Sequence, residues 1–392
     1  MRHARTLALA AALTLTTTSA CTLMGGEDED AQQPPSPTEG EATSTPTETS
    51  APTVDEDAAT QSAEPEETAP SRPGTVVMIA HDSFSVPDEL VESFEQETGL
   101  ELQIQLSGDA GAMANQVVLT AGRPVADVVF GIDNSFAARV VDAEALEPYT
   151  PTDLDESVTE HDLEGGAAAY LPPVDYGDVC VNVDDVWFAT QGIAPPQTLH
   201  DLIKPEYEGL FVTPGATTSS PGMSFLLATI GELGPGEWQA WWEDLMDNDA
   251  KITSGWTDAY TVDFTGGGGD GDRPIVLSYA SSPPATIPEG GWQPSTSALL
   301  DTCFRQVEYA GVLAGADNPE GGQLVVDWLL SDEVQAAIPD AMYMYPVNDE
   351  VALPELWAQW AAVADDPIVV HPQQIEEERE TWLREWADIA TG

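Results

Sequence analysis

The stretch "GTVVMIAHDSFSVPDELVESFEQETGLELQIQL", Gly74–Leu106, decides the fold. Val76–Ala80 is a continuous apolar run, the pattern of a strand buried on both faces. Leu90, Val91 and Phe94 then recur at helical spacing, and Gly99 supplies a stop. "LELQIQL" alternates apolar and polar as a strand does. Strand, helix and strand with short joins build an α/β domain with a largely parallel sheet.

The alternation continues outward from this stretch. "AGAMANQVVLTAG" reads as a helix, "ADVVFGID" as a strand and "SFAARVVDAEALE" as a helix. A second series follows "YLPPVDYG": strands at "DVCVNVD", "GLFVTPG" and "RPIVLSYASSPP", with helices at "MSFLLATIGEL" and "GEWQAWWEDLMDN". "FRQVEYAGVLAG" is a strand able to return to the first series, and "EEERETWLREWADIA" closes the chain as an amphipathic helix. Two α/β lobes are expected, residues 75–175 and 176–305, with 306–392 a return segment whose helices pack across both. Chain crossings between lobes leave a cleft, and ligands sit outside the carboxyl ends of strands. Asp82 and Ser83, Asp133 and Asn134, Ser219 and Ser220, and Tyr279 all stand at such ends.

The 392 residues carry 11 basic against 69 acidic side chains, a formal charge of −58, and only two lysines, Lys204 and Lys251. That field repels nucleic acid and anionic membranes and concentrates cations. The chain opens with Arg2, His3 and Arg5, an apolar run "LALAAALTLT", then "TSAC". This is the layout of a secretory leader, residues 1–20, too short for a permanent span. It ends on Cys21 as bacterial lipoprotein leaders do, with Thr18 where those leaders usually carry Leu. Residues 21–74 are rich in acidic residues, Pro, Ser and Thr and lack aromatics, so they cannot bury enough surface to order themselves. The layout is a lipid anchor, an acidic tether and a folded domain on the outer face of the cell membrane. Two further cysteines, Cys180 and Cys303, form a disulfide in that oxidising setting or remain two buried thiols.

Catalytic signatures are weak. "HDS" at 81–83 holds the residue types of a hydrolase triad, but neighbours in an extended chain point to opposite faces. The histidines show no metal-ligand spacing, and "GGGGDGD" at 266–272 reads as a surface loop rather than a calcium loop. No catalytic residue, metal or cofactor is expected. A binding cleft has more support. Trp256 and Tyr260 are one helical turn apart in "GWTDAY", Tyr279 ends a strand, and Tyr343 and Tyr345 share a side if "MYMYPVN" is extended. Such rings attract a cation; the alternative is that they are core, as expected for Trp238, Trp241, Trp242, Trp328, Trp382 and Trp386. Gly255 is expected to turn the chain so that Trp256 faces the cleft. Ser219 and Ser220 precede a helix, as an anion site or as a plain N-cap.

Seven segments in order, "HDSF", "ADVVFGIDN", "YGDVCVNVD", "TSSPGMSFLL", "TSGWTDAY", "IVLSYASSP" and "AIPDAMYMYPVN", resemble the thiamine-binding periplasmic proteins of ABC transporters, over nearly the whole chain from Thr75. The resemblance implies a two-lobed type II periplasmic-binding-protein fold closing over thiamine like a flytrap. It implies a monomeric receptor that delivers thiamine or its phosphates to the permease and ATPase of an importer. By the same resemblance Trp256 and Tyr279 line the rings and Tyr343 or Tyr345 closes the far wall, while His81, Asp82, Asp133, Asn134, Ser219 and Ser220 make polar contacts. His81 stands where the family often has Tyr, and Ala285 where it often has an aromatic, so either the cage is more open or another residue such as Trp292 fills the gap. The alternatives are a polyamine or ferric-ion receptor of the same fold, the latter needing the Tyr343–Tyr345 pair, and a secreted hydrolase.

The leader reading gives a first prediction. Cys21→Ser should move the protein from the membrane fraction to the medium while ligand affinity stays unchanged, because the tether separates anchor from fold. Equal membrane retention of the variant would show that Cys21 is not the anchor.

Overall fold

The computed structural model describes residues 74–152 and 154–391. The leader, Cys21 and the acidic segment up to residue 73 lie outside the described residues. Eleven strands form one sheet: β1 (Thr75–Ala80), β2 (Glu101–Leu106), β3 (Val128–Asp133), β4 (Leu146–Glu147), β5 (Pro173–Asp184), β6 (Phe211–Pro214), β7 (Lys251–Thr253), β8 (Ile275–Tyr279), β9 (Thr296–Ala298), β10 (Phe304–Leu313) and β11 (Tyr345–Pro346). The helices are α1 (Asp88–Thr98), α2 (Ala110–Leu119), α3 (Ala137–Asp142), α4 (Asp185–Gln191), α5 (Ser220–Leu233), α6 (Trp238–Asp247), α7 (Pro319–Leu329), α8 (Asp332–Met342), α9 (Glu355–Trp360) and α10 (Pro372–Thr391).

The main strand order is β2-β1-β3-β10-β5-β8-β6-β7. At one end β1 pairs parallel with β2 and β3; at the other β6 pairs parallel with β7 and β8. Between these parallel sets run β5 and β10, antiparallel to each other and to their outer neighbours. These are the crossings of a two-lobed α/β fold, and the lobe boundaries expected at 175/176 and 305/306 fall inside these two strands. β10 pairs with β5 over Phe304–Tyr309 and with β3 over Glu308–Val312, so Glu308 and Tyr309 pair on both sides, and the register shifts after Glu308 on the β5 side and after Tyr309 on the β3 side.

The inner parallel strands β1, β3, β6 and β8 are buried along most of their length, as their apolar runs require, while the edge strands β2 and β7 are largely open. Met78 and Ala80 of β1 pack with Val128 and Phe130 on one side, while Ile79 and Val129 join Met113 and Val117 of α2 on the other. Trp238, Trp241, Trp242, Trp382 and Trp386 are buried, and α6 meets α10 through Trp242 and Trp386, whose rings lie 5.6 Å apart and perpendicular. Trp328 departs from expectation: it is half-buried, set against Phe94 at the edge of the core. Among the described residues no helix is long and apolar enough to cross a membrane.

Cys180 of β5 and Cys303, the residue before β10, are disulfide-bonded with Cα atoms 4.3 Å apart. The bridge ties the two crossing strands together across 123 residues of chain. Closing so long a loop restricts the unfolded chain, so replacing both cysteines by alanine should lower stability by about 2–5 kcal/mol. Urea unfolding of the oxidised protein and the variant measures this; coincident midpoints would remove the bridge from the account of stability.

Candidate functional site

A cavity of ≈ 240 Å³ opens where the ends of β1, β2 and β8 meet the start of α5. Its first wall is the "HDS" turn that follows β1. Asp82 donates its N–H to Gly108 O at 2.8 Å and Phe84 to His81 O at 3.1 Å, which fixes His81, Asp82 and Ser83 at the cavity edge. His81 packs on Phe130, and Gly131 makes the room: a Cβ there, with φ at 95°, would approach the imidazole to 2.3 Å.

The second wall is aromatic. After β7 the chain enters a π-helix, Asp258–Asp263. Trp256 stands one turn before Tyr260, and the two rings stack at 5.0 Å with 17° between their planes. Tyr279, the last residue of β8, meets Trp256 edge-on at 6.4 Å. The indole N–H of Trp256 donates to Ser278 Oγ at 3.0 Å, so the ring is held from behind as well. Tyr260 is buried, while Trp256 and Tyr279 keep part of their surface open to the cavity. Gly255 does not turn the chain through a positive φ. Its missing Cβ admits Asp109 instead, whose carboxylate oxygen would lie 3.1 Å from a Cβ at that position.

Asp109, which precedes α2, was not singled out by the sequence. Its carboxylate reaches the other lobe, accepting from Ser220 N at 3.0 Å and from Trp256 N at 2.9 Å. Ala112 N donates to Thr218 O at 2.9 Å beside it. Burial raises the Asp109 pKa, against the lowering effect of these two amides.

The expected polar residues divide into two layers. His81, Asp82, Ser220, Trp256, Tyr260, Tyr279 and Tyr343 line the cavity. Asp133, Asn134, Ser219 and Tyr345 do not. Asp133 sits behind Ser220, accepting from Ser220 Oγ, Ser135 Oγ and the amides of Ser135 and Phe136. Asn134 is spent on β10, donating to Arg305 O and accepting from Val307 N. Ser219 caps α5, its hydroxyl accepting from Gly222 N at 3.3 Å. The tyrosine pair is separated because Tyr343 ends α8 with left-handed backbone, φ 58°, which breaks strand alternation. Tyr345 stacks on Tyr176 at 5.3 Å and meets Trp357 edge-on. Trp292 is 66% exposed and leaves the space at Ala285 unfilled.

Glu308, also absent from the sequence reading, lines the cavity and lies opposite Asp133 of β3 and Asp175 of β5 in the sheet register. All three carboxyl groups are buried. His81 Nε2 is 3.4 Å from Glu308 Oε2. Burial alone would lower His81 and raise Glu308; the charge each presents to the other outweighs it, leaving the His81 pKa raised and the Glu308 pKa lowered. Burial and then Glu308 push the Asp175 pKa well above the ordinary carboxylate range. Burial raises Asp133 to about 7 despite its hydrogen-bond donors. Ser83 Oγ is 3.3 Å from Thr257 Oγ1, so the serine and histidine of "HDS" have separate partners. Among the described residues no group of three His, Cys, Asp or Glu is placed to hold a metal ion.

The model of the bacterial extracellular solute-binding protein family matches residues 89–365. The thiamine-binding periplasmic protein of Salmonella typhimurium strain LT2 is 28% identical, covering 79% of this chain and 92% of the relative. That of Escherichia coli strain K12 is 28% identical with the same coverage. A solved periplasmic thiamin binding protein superposes with a TM-score of 0.70 at 23% identity, over 82% of this chain and 98% of that one.

The buried acids set a pH dependence. Asp133 binds its proton more tightly folded than unfolded, so stability falls as pH rises from its ordinary 3.8 through about 7. The raised His81 works in the same direction, its contribution lost as pH rises through the folded pKa; the lowered Glu308 adds stability above its ordinary value of 4.5. The melting temperature should therefore be higher near about pH 5 than near about pH 8. Surface repulsion acts in the same sense, so the discriminating measurement is Asp133→Asn, which should flatten the slope across that window. Parallel curves for the two proteins would mean that Asp133 titrates normally.

Proposed function

We propose, because this chain belongs to the bacterial extracellular solute-binding proteins, that it captures thiamine between its lobes and passes it to the membrane subunits of an ABC importer. In this reading Cys21 anchors it by lipid to the outer face of the membrane, and it performs no catalysis. One observation supports the ligand: a wall of touching rings, Trp256 stacked on Tyr260 with Tyr279 edge-on to Trp256, faces a cavity that also holds Asp82, Asp109 and Glu308. Thiamine is a permanent cation with two flat rings. Aromatic faces attract a cation by about 0.5–2 kcal/mol per good contact, more when water is excluded. Carboxylates around the rings add charge pairing in a medium less polar than water. The curated relatives that match most of the chain are named for the same ligand. A ferric site has less support, since Tyr345 is turned away from Tyr343.

Tryptophan fluorescence titrations with thiamine, spermidine and Fe³⁺ test the ligand. Trp256→Ala or Tyr279→Ala should weaken thiamine binding by about 1–3 kcal/mol with little loss of fold. Trp242→Ala, which empties a fully buried site, should instead cost about 3–5 kcal/mol of stability. If the first two variants melt as low as the third while their folded fraction binds thiamine normally, those rings are core and the cage does not exist.

A further inference from the structure

Resting on the thiamine reading, we propose that Glu308 is the carboxylate that answers the positive charge of the ligand, and that His81 holds that place with a proton which the ligand displaces on entering. The three acids lining the cavity are held differently. Asp109 accepts from Ser220 N with one oxygen and from Trp256 N with the other, so its charge is committed to two fixed amides. Asp82 is exposed at the cavity edge, where water weakens its field. Glu308 is buried, and both of its oxygens meet side chains. Its Oε1 accepts from Gln306 Nε2 at 3.2 Å, and Gln306 Oε1 accepts in turn from the Tyr279 hydroxyl at 3.4 Å. The aromatic wall thus aims this carboxylate. Its Oε2 lies 3.4 Å from His81 Nε2, a buried nitrogen that makes no aligned hydrogen bond.

Among the described residues, His81 is the only one lining the cavity that can carry a positive charge. Acidic groups face it from several elements. Asp82 is on its own turn, Asp109 precedes α2 and Glu308 is on β10. Asp133 of β3 and Asp175 of β5 lie opposite Glu308 in register, and the Tyr279 phenol ends β8. Burial acts to lower the imidazole pKa, and the charges of Glu308, Asp109 and Asp82 outweigh it. The ring packs on Phe130, in the room that Gly131 leaves. It can therefore answer a ligand by changing its protonation state in place. A neutral imidazole keeps one N–H, which it can still donate to Glu308.

A ligand cation on the Trp256 face brings a second positive charge into a cavity of ≈ 240 Å³. Like charges in a poorly solvated space oppose one another, and of the two only the imidazolium can lose its charge. His81 releases its proton to bulk water, and Glu308 then faces the ligand. One cation enters and one proton leaves, so the net charge of the cavity is unchanged. The coupling is reciprocal: the factor by which the ligand weakens proton binding is the factor by which the proton weakens ligand binding. A tyrosine at this position carries no positive charge, so the exchange is a property of the histidine in this chain.

Thiamine affinity of the full chain, read by tryptophan fluorescence between about pH 6 and about pH 8.5, tests the exchange. It should rise with pH by up to about tenfold per unit and level off once His81 is neutral in the free protein. Calorimetry in two buffers of different ionisation enthalpy, at the acidic end, should show on the order of one proton released per thiamine bound. His81→Gln should flatten both readings. Asp133→Asn, which removes a second group titrating at about 7, should keep the slope. A flat wild-type profile, a slope that survives in His81→Gln, or one that vanishes in Asp133→Asn would each overturn the proposal. Histidine-labelled NMR of the ligand-free chain gives an arm independent of thiamine. The resonance missing from His81→Gln should titrate above the ordinary 6.5 and fall in Glu308→Gln. Titration at or below 6.5 would remove the resident charge and overturn the proposal. If thiamine itself fails to bind, the thiamine reading falls, and the NMR arm still decides whether His81 holds a charge against Glu308.

Discussion

Glu308 is a carboxylate buried in the middle of a strand that crosses between lobes, and the arrangement around it constrains everything else. Asp133 and Asp175 face it from the strands on either side. Three acids so close in a poorly solvated place cannot all be ionised. The fold resolves this by giving each a different partner. His81 stands 3.4 Å from Glu308 and has its pKa raised by that charge, the Asp175 pKa is pushed up by burial and Glu308, and Asp133 collects the donors at the start of α3 and α5. This requires His81, just after β1, to reach across β3 toward β10, and Gly131 of β3 to leave room for the imidazole. It also fixes the register of the crossing strands, because a slip of one residue would turn these groups into the apolar layers.

The same chemistry appears across the cleft. Asp109 leaves one lobe and satisfies two amides of the other, one at the start of α5 and one at Trp256. A hydrogen bond to a charged acceptor is worth roughly 1.5–3 kcal/mol, and an abandoned partner costs about as much. The contact is therefore a latch that holds the lobes together and seats the aromatic wall. Neither Asp109 nor Glu308 has a lysine or arginine as its partner, which suits a cavity meant to gather positive charge.

The fold was legible because its signals are local. Apolar runs buried on two faces, helical spacing and glycine stops all lie within a few residues of one another, and β1, α1 and β2 follow the reading of Gly74–Leu106 closely. So were Trp256 and Tyr279 of the cavity wall, which stand among Gly, Ser and Pro where core residues seldom do; Tyr260, one turn on, is buried against Trp256. Glu308 was not legible, since in "FRQVEYAGVL" it looks like the polar edge of a half-exposed strand. Its burial comes from pairing with β3 and β5, which lie more than a hundred residues earlier. An acid in an otherwise apolar strand, echoed by Asp175 in "PPVDYG", was the available signal. Asp109 in "SGDAGAM" resembles any residue preceding a helix, and only the approach of Gly255 reveals its use. Tyr345 was misplaced because alternation was assumed through Tyr343, whose left-handed backbone interrupts it.

The aromatic wall and the acids solve one problem together. In a cavity lined by Asp82, Asp109 and Glu308, repulsion between acids is stronger wherever water is excluded, with a formal −58 on the chain behind it. More acids would raise the cost of closing the empty site. Aromatic faces attract a cation without carrying charge of their own, so they add affinity at no such cost. Trp256 joins the two functions in a single residue. Its ring faces the cavity, and its amide holds the carboxylate that closes the lobes. On the proposed function, a cation resting on that ring would lie against the same residue whose amide makes the contact between lobes.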